Sequence, residues 1–332
     1  MTIDHVLFIG FGAPANAEDV PAFLQEVTRG LNIPQARLDD VAHHYAAVGG
    51  GSPYNAYAMQ LVDAVRAKLA TDGFALPVAI GMRNWRPFLR DVVREQHQQG
   101  RRSGIGVILA PHRSYSSFGK YIENIEDAKI AADARDLQSQ YLAPWHEHPL
   151  FIEAQADRVR AELERIPKED RPKTHLLFTA HSIPMEMIGR AQYVEEFRRS
   201  SQLVAQTLQQ DAWSIAYQSR SGPPQQRWLE PDALLVMREL RDRKAKQVIV
   251  IPIGFLFDHI EVKFDLDIEA RAAAARLELG FHRASTVMDH PSFVRMFAEL
   301  IRAQAGQAGT STGAARGGAP NAPLPAVAPR RL

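Results

Sequence analysis

HVLFIGFGAP (residues 5–14) and HLLFTAHSIP (residues 175–184) carry histidine, leucine, phenylalanine and proline at matching places, 170 residues apart. Each is a short apolar run, rich in strand-forming residues, that ends at a proline. Two further pairs keep the same order. GVILAP (106–111) and VIVIP (248–252) set Pro111 against Pro252, and HPLF from His148 matches HPSF from His290, each opening a helical pattern. Matching segments in conserved order at a long period mark an internal duplication.

Outward from these pairs, short apolar runs alternate with longer amphipathic stretches. PVAIGM (77–82), WSIAYQ (213–218) and QVIVIPIGF (247–255) are further runs, and residues 18–31 form the first helical stretch. Strands that are apolar throughout belong to a parallel sheet covered on both faces. The expected fold class is therefore α/β, with two similar domains at 1–170 and 171–304, each a parallel four-stranded sheet flanked by helices. A ligand would sit between them. From Ala305 to Leu332 the chain is dominated by Ala, Gly and Pro without apolar periodicity, and a disordered tail is expected there.

With 39 Lys and Arg against 38 Asp and Glu, the net charge of +1 argues against nucleic acid as a partner. Cysteine is absent, which excludes disulfides, thiolate nucleophiles, zinc held by sulfur and an iron-sulfur cluster. Any metal must meet nitrogen or oxygen ligands. No cationic leader precedes the first apolar run and no apolar stretch is long enough to span a bilayer, so the expectation is a cytoplasmic protein without a transmembrane segment.

Functional side chains of parallel α/β sheets gather beyond the C-terminal ends of strands. His181 stands at such an end, and its counterpart in the first half is Phe11. A histidine there serves as a proton acceptor or metal ligand, or holds a loop from within the core. The second constellation is GFLFDHIEVKFDLDIEA, 254–270. Asp258 followed by Glu261 resembles a capping box. That leaves Asp265 and Glu269 unexplained. Glu261, Asp265 and Glu269 fall at i, i+4 and i+8, one helical face over about 12 Å. Like charges at that spacing cost about 0.2–0.5 kcal/mol per pair, so the ladder needs a reason. Oxygen and imidazole groups in a row, without a closed cage, suit a divalent cation in transit. Proton acceptance beside metal delivery describes insertion of a metal into a macrocycle whose ring nitrogens lose two protons.

HSIP (181–184), YQSR (217–220) and GFLFDHIEVKFDLDIEA, in this order and separation, resemble the ferrochelatase family from Val6 to about Ile301. The resemblance implies two Rossmann-like, chelatase-type domains with the tetrapyrrole in the cleft between them. It implies His181 as the catalytic histidine, Glu261 as its acidic partner, both meeting the metal, and Asp265 and Glu269 as an acidic path. Ferrous iron is then a substrate, with no permanently bound cofactor.

EVTRGLNIP (26–34), HYAAVGGGSPYN (44–55), GMRNWRPFL (81–89) and LAPHRSYSSFGKYIEN (109–124) are similar to the branch acting on coproporphyrin III rather than protoporphyrin IX. Coproporphyrin carries four propionates and requires polar anchors around an apolar slot. The resemblance points to Arg29, Tyr45, Ser52 and Tyr121, chemistry adds Arg83, and Phe11 supplies an apolar wall. Ser52, in GGGSP, equally suits a turn. Phe11 stands where several relatives have tyrosine, so a hydroxyl for the metal is lost there. A coproheme decarboxylase would be the downstream partner. The competing readings are a protoporphyrin IX ferrochelatase, a haem-binding or transfer protein without turnover, and a cobalt chelatase using His112 or His259 as a second histidine.

Overall fold

The computed structural model describes residues 2–187, 192–222 and 225–310. The first decapeptide forms β1 (His5–Gly10), buried at every residue. It lies between β2 (Val78–Met82) and β3 (Ser103–Ile108), and β4 (Gln138–Tyr141) completes a sheet of order β2-β1-β3-β4. Its repeat, β5 (Thr174–His181), occupies the same central position in a second sheet of order β6-β5-β7-β8. The partners are β6 (Trp213–Gln218), β7 (Gln247–Ile251) and β8 (Gly280–Arg283). All pairings in both sheets are parallel. Two central strands with no solvent face explain why both decapeptides are apolar on alternate and intervening positions alike.

The first half carries α1 (Val20–Val27), α2 (Gln35–Ala47), α3 (Tyr54–Thr71), α4 (Leu89–Gln98), α5 (Lys120–Ala131) and α6 (Pro149–Leu163). The second carries α7 (Tyr193–Thr207), α8 (Ala233–Asp242), α9 (Arg271–Arg276) and α10 (Pro291–Thr310). A π-helix precedes α5 at Tyr115–Gly119 and another precedes α9 at Val262–Ala270, so both halves place one after the third strand in sequence.

The helices opened by the repeated HPLF and HPSF cross between halves. α6 packs on α7 and β7 of the second half, whereas α10 packs on α3 of the first and sets Phe297 edge-on to Phe8 at 5.6 Å. The two also meet each other, Phe151 lying 5.8 Å from Phe293, with Trp145 against Phe151, Phe293 and Phe297 at 5.2, 5.6 and 5.4 Å. One apolar core accordingly contains Phe8 of β1 and Phe178 of β5. The division at residue 170 separates the two sheets, but each sheet is covered by a helix from the other half. Such an exchange joins the two halves through one close-packed aromatic core.

α10 continues through Ala305 to Thr310, past the expected start of the tail, since Ala and Gln favour helix. The rest of the expected tail, 311–332, lies outside the described residues. Among the described residues no helix is long and apolar enough to cross a membrane.

Candidate active site

His181 is the last residue of β5. Its Nδ1 faces the Ser182 carbonyl, which only accepts, so Nδ1 carries the proton and the neutral ring keeps its lone pair on Nε2. The rest of HSIP pins this turn. Ser182 donates from its backbone N–H to the Gln218 carbonyl (2.8 Å) and from Oγ to the Leu229 carbonyl (2.9 Å), while the Tyr193 hydroxyl donates to the His181 carbonyl (2.9 Å).

Nε2 of His181 lies 3.7 Å from Oε1 of Glu261, and the two side chains remain 32% and 42% exposed, so solvent reaches both. Glu261 reaches this place because the chain after β7 turns at Gly254, where an added Cβ would stand 2.5 Å from Ala180 Cβ. The Gly254 N–H donates to the Thr179 carbonyl at 3.0 Å, which docks the segment against the end of β5. The capping-box reading of Asp258 and Glu261 does not hold. Asp258 instead accepts from Arg283 and from the Thr286 N–H, and His259 Nδ1 accepts from the Val262 N–H at 3.3 Å.

The acidic ladder runs into the π-helix rather than along an α-helix. Its i→i+5 hydrogen bonds widen the turn, a feature concentrated at functional sites. Asp265 accepts from the Ser219 hydroxyl and from Gln218 Nε2 (3.2 Å), both at the end of β6. Ser219 holds a left-handed backbone, φ 60°, to make that contact. Glu269 lies at the far, exposed end.

Burial favours neutral His181, but the Glu261 charge, the Ser182 carbonyl and Asp265 outweigh it and hold the imidazole above its ordinary value. Burial opposes the charge on Glu261 in turn, and the neighbouring His181 and His259 hold it well below the carboxylate range. Asp265 is pushed up to about 7 by burial, assisted by the charges of Glu261 and Glu269 and opposed by its Ser219 and Gln218 donors. Glu269 is raised by burial and by Asp232. Along this segment Glu261 is thus held anionic, while Asp265 is pushed to about 7 and Glu269 is raised above its ordinary value.

The first half closes the other side. Phe11, just past β1, is 36% exposed, and its N–H donates to the Tyr54 hydroxyl at 2.9 Å. Tyr54 stacks on His259 at 6.1 Å, and His259 Nε2 lies 3.9 Å from Glu261 Oε2, so a line of contacts runs from the Phe11 backbone to the His181–Glu261 pair. His44 of α2 stacks on Phe264 of the π-helix at 3.8 Å, and Ile260 packs among α1 and α2. Arg83 sits beyond β2 with its guanidinium 5.4 Å from the centre of the Tyr121 ring.

The other expected anchors are placed differently. Tyr45 (3% exposed), Ser52 (2%) and Tyr121 (5%) are packed inside. Tyr45 meets Phe23 edge-on, and Ser52 accepts from the Tyr54 N–H at 3.4 Å, the turn role open to it from sequence. Arg29 is on the surface, paired with Glu26. His112 is buried, bonded to Ser200 at 3.1 Å, and does not face the cleft. Tyr54 and His44 both lie within HYAAVGGGSPYN, but nothing local to that segment says that they reach His259 and Phe264, more than 200 positions on. Among the described residues no three His, Asp or Glu side chains converge as a ready metal cage.

Comparison with known proteins gives the family and the fold. The ferrochelatase family matches residues 4–305. A coproporphyrin III ferrochelatase of Nocardia farcinica is 39% identical over 310 residues, covering 91% of this chain and 88% of the relative. One from Mycobacterium avium is 40% identical over 304 residues (91% and 88%), and a ferrochelatase of Rhodopirellula baltica is 37% identical over 305 residues (92% and 87%). Among solved structures, SirB from Bacillus subtilis with Fe3+ superposes with a TM-score of 0.61 at 12% identity, covering 93% of this chain and 98% of that one, a likeness of fold. The two four-stranded parallel sheets are thus a chelatase fold, and the chain belongs to the ferrochelatase family.

Proposed function

We propose that the protein inserts ferrous iron into coproporphyrin III, giving coproheme. The observation that carries the reading is the His181–Glu261 pair, 3.7 Å apart and partly exposed to solvent. Metallation joins Fe2+ to four ring nitrogens and releases two protons. His181 Nε2, with its lone pair toward the cleft, takes one, and the Glu261 carboxylate, anionic and beside it, draws the cation and shares the second. Asp265 and Glu269 carry protons away along the π-helix, Asp265 changing state at about 7 with Ser219 and Gln218 both donating to its Oδ2.

Phe11 lies against one ring face and Arg83 meets a propionate, while Arg29 offers a second cation at the cleft mouth. Tyr45, Ser52 and Tyr121 shape the wall from behind. The choice of coproporphyrin rests on the four similar first-half segments and on the relatives from Nocardia and Mycobacterium. Cytoplasmic location and a downstream decarboxylase belong to the same proposal.

Anaerobic incubation with ferrous iron and either porphyrin, following loss of porphyrin fluorescence, tests it. Faster loss with coproporphyrin III is expected. Faster loss with protoporphyrin IX would overturn the substrate, and binding of finished haem without any turnover would support a transfer protein instead.

A further inference from the structure

Arg283 ends β8, the edge strand farthest from β6, and lies behind the cleft. Its guanidinium engages two carboxylates of the segment that carries Glu261. Nη1 donates to both oxygens of Asp258 at 3.0 Å, while Nε and Nη2 fork onto Asp267 at 2.8 and 3.0 Å. Asp258 also accepts from the Thr286 N–H at 3.1 Å, which ties it to the loop after β8. Arg283 and Asp258 are nearly buried, 13% and 12% exposed.

Glu261 and Asp265 fall between Asp258 and Asp267 in sequence. Asp265 is held from the β6 side by Gln218 and Ser219, and Asp267 from the β8 side by Arg283, so the π-helix is gripped from opposite edges of the sheet. A π-helical turn is rare and occurs mostly at functional sites, and here side chains from both edge strands hold it. Arg283 faces a cavity of about 580 Å3 lined also by Arg158, Arg271 and His290, away from His181. It touches neither the cleft nor any group the metallation uses.

We propose that Arg283 is a positioning residue for iron insertion: by clamping Asp258 and Asp267 together it sets where the Glu261 carboxylate stands relative to His181. This inference rests on the assignment of His181 and Glu261 above. A planar fork is required, since only guanidinium grips two carboxylates in fixed directions, and a lysine ammonium supplies the charge without the directions.

The test uses Arg283→Lys, Arg283→Met and Asp267→Asn in the full chain, with Glu261→Gln alongside, reading kcat and KM for ferrous iron insertion and porphyrin Kd by fluorescence. The clamp predicts kcat lower by about ten- to hundred-fold in Arg283→Lys, as small misplacement of a reacting group produces, with porphyrin Kd within about two-fold. Lysine restoring full kcat would mean that charge alone matters and would overturn the proposal. If Arg283→Met does not fold because two buried carboxylates lose their partner, Arg283→Lys and Asp267→Asn decide. Folded Asp267→Asn with unchanged kcat would also overturn it. Normal turnover in Glu261→Gln would instead remove the site assignment on which the clamp depends.

Discussion

His181 Nε2 and Glu261 Oε1 stand 3.7 Å apart, one from the end of the central strand of the second sheet and the other from the start of a π-helix. The two groups are separated by 80 positions in sequence, and the docking of Gly254 on Thr179 brings them together. Replacing His181 by Ala should lower kcat for iron insertion by about 10²- to 10⁴-fold, the usual worth of a positioned proton acceptor. Porphyrin binding and the far-UV circular dichroism spectrum should be retained. Turnover close to the parent's would remove His181 from the mechanism.

The pH dependence follows from the same pair. His181 must be neutral to accept a proton, and the Glu261 charge raises its pKa above the ordinary 6.5. The acid limb of kcat should therefore lie above 6.5. In Glu261→Gln the raising charge is gone while the opposing burial stays, so the limb moves to lower pH even as kcat falls. A limb that stays in place, measured anaerobically from pH 5.5 to 8.5, would assign it to another group.

Asp265 gives a stability prediction. Its folded pKa of about 7 lies above the ordinary 3.8, so between these values the folded state holds a proton that the unfolded chain has lost. Stability from this group is full below the lower value and declines as pH rises through the higher one. Asp265→Asn keeps an oxygen for Ser219 and Gln218 and removes the charge. At about 1.4 kcal/mol per pKa unit the gain has a ceiling of about 4 kcal/mol, reduced by partial solvation to about 1–2 kcal/mol. Tm should rise in the variant at pH 8 and be unchanged at pH 4; an equal rise at both would show that ionisation is not the cause.

The core between the halves is open to the same treatment. Phe297 is fully buried, edge-on to Phe8 and packed against Phe293 at 4.8 Å and Trp145. Phe297→Ala should destabilise by about 3–5 kcal/mol, as large-to-small changes in rigid cores do. Because the ring joins an α10 residue to the first sheet, chemical denaturation should show both halves losing stability together. Separate transitions would show that the exchanged helices do not couple them.

The parts of this architecture that were legible in sequence share a cause. Six strands are readable because they carry runs of buried apolar residues, complete in β1 and β3 and partial in the edge strands β2 and β6, whereas the edge strands β4 (QSQY) and β8 (GFHR) have no fully buried residue and a composition that resembles a loop. The HPLF and HPSF pair announced two equivalent helices, yet similarity does not say which half a helix covers, so the exchange was not visible. His181, Glu261 and Asp265 stand out as candidates in the sequence because strand-end position and i, i+4 spacing are local signals. The π-helix, Tyr54 and Arg283 depend on partners distant in sequence. Asp258 was read as a cap because the local pattern fits one, and Arg283, 25 residues on, takes its carboxylate instead.

Arg83 offers the means to separate the two porphyrins. Its backbone N–H is fixed to the Gly10 carbonyl at 2.9 Å, and its guanidinium lies over Tyr121, beyond the end of β2 on the first-half side of the cleft. Hydrogen bonds between charged groups contribute about 1.5–3 kcal/mol, less where water reaches them, and 1.4 kcal/mol is ten-fold in affinity. Arg83→Met, which keeps the stem and removes the cation, should raise KM for coproporphyrin III by about ten-fold with little change in kcat. The effect on protoporphyrin IX should be smaller, because that ring has fewer propionates to lose contact with Arg83. Equal rises for both would mean that Arg83 meets a propionate common to the two rings and does not select between them, and no rise for either would move the anchor to another cation such as Arg29.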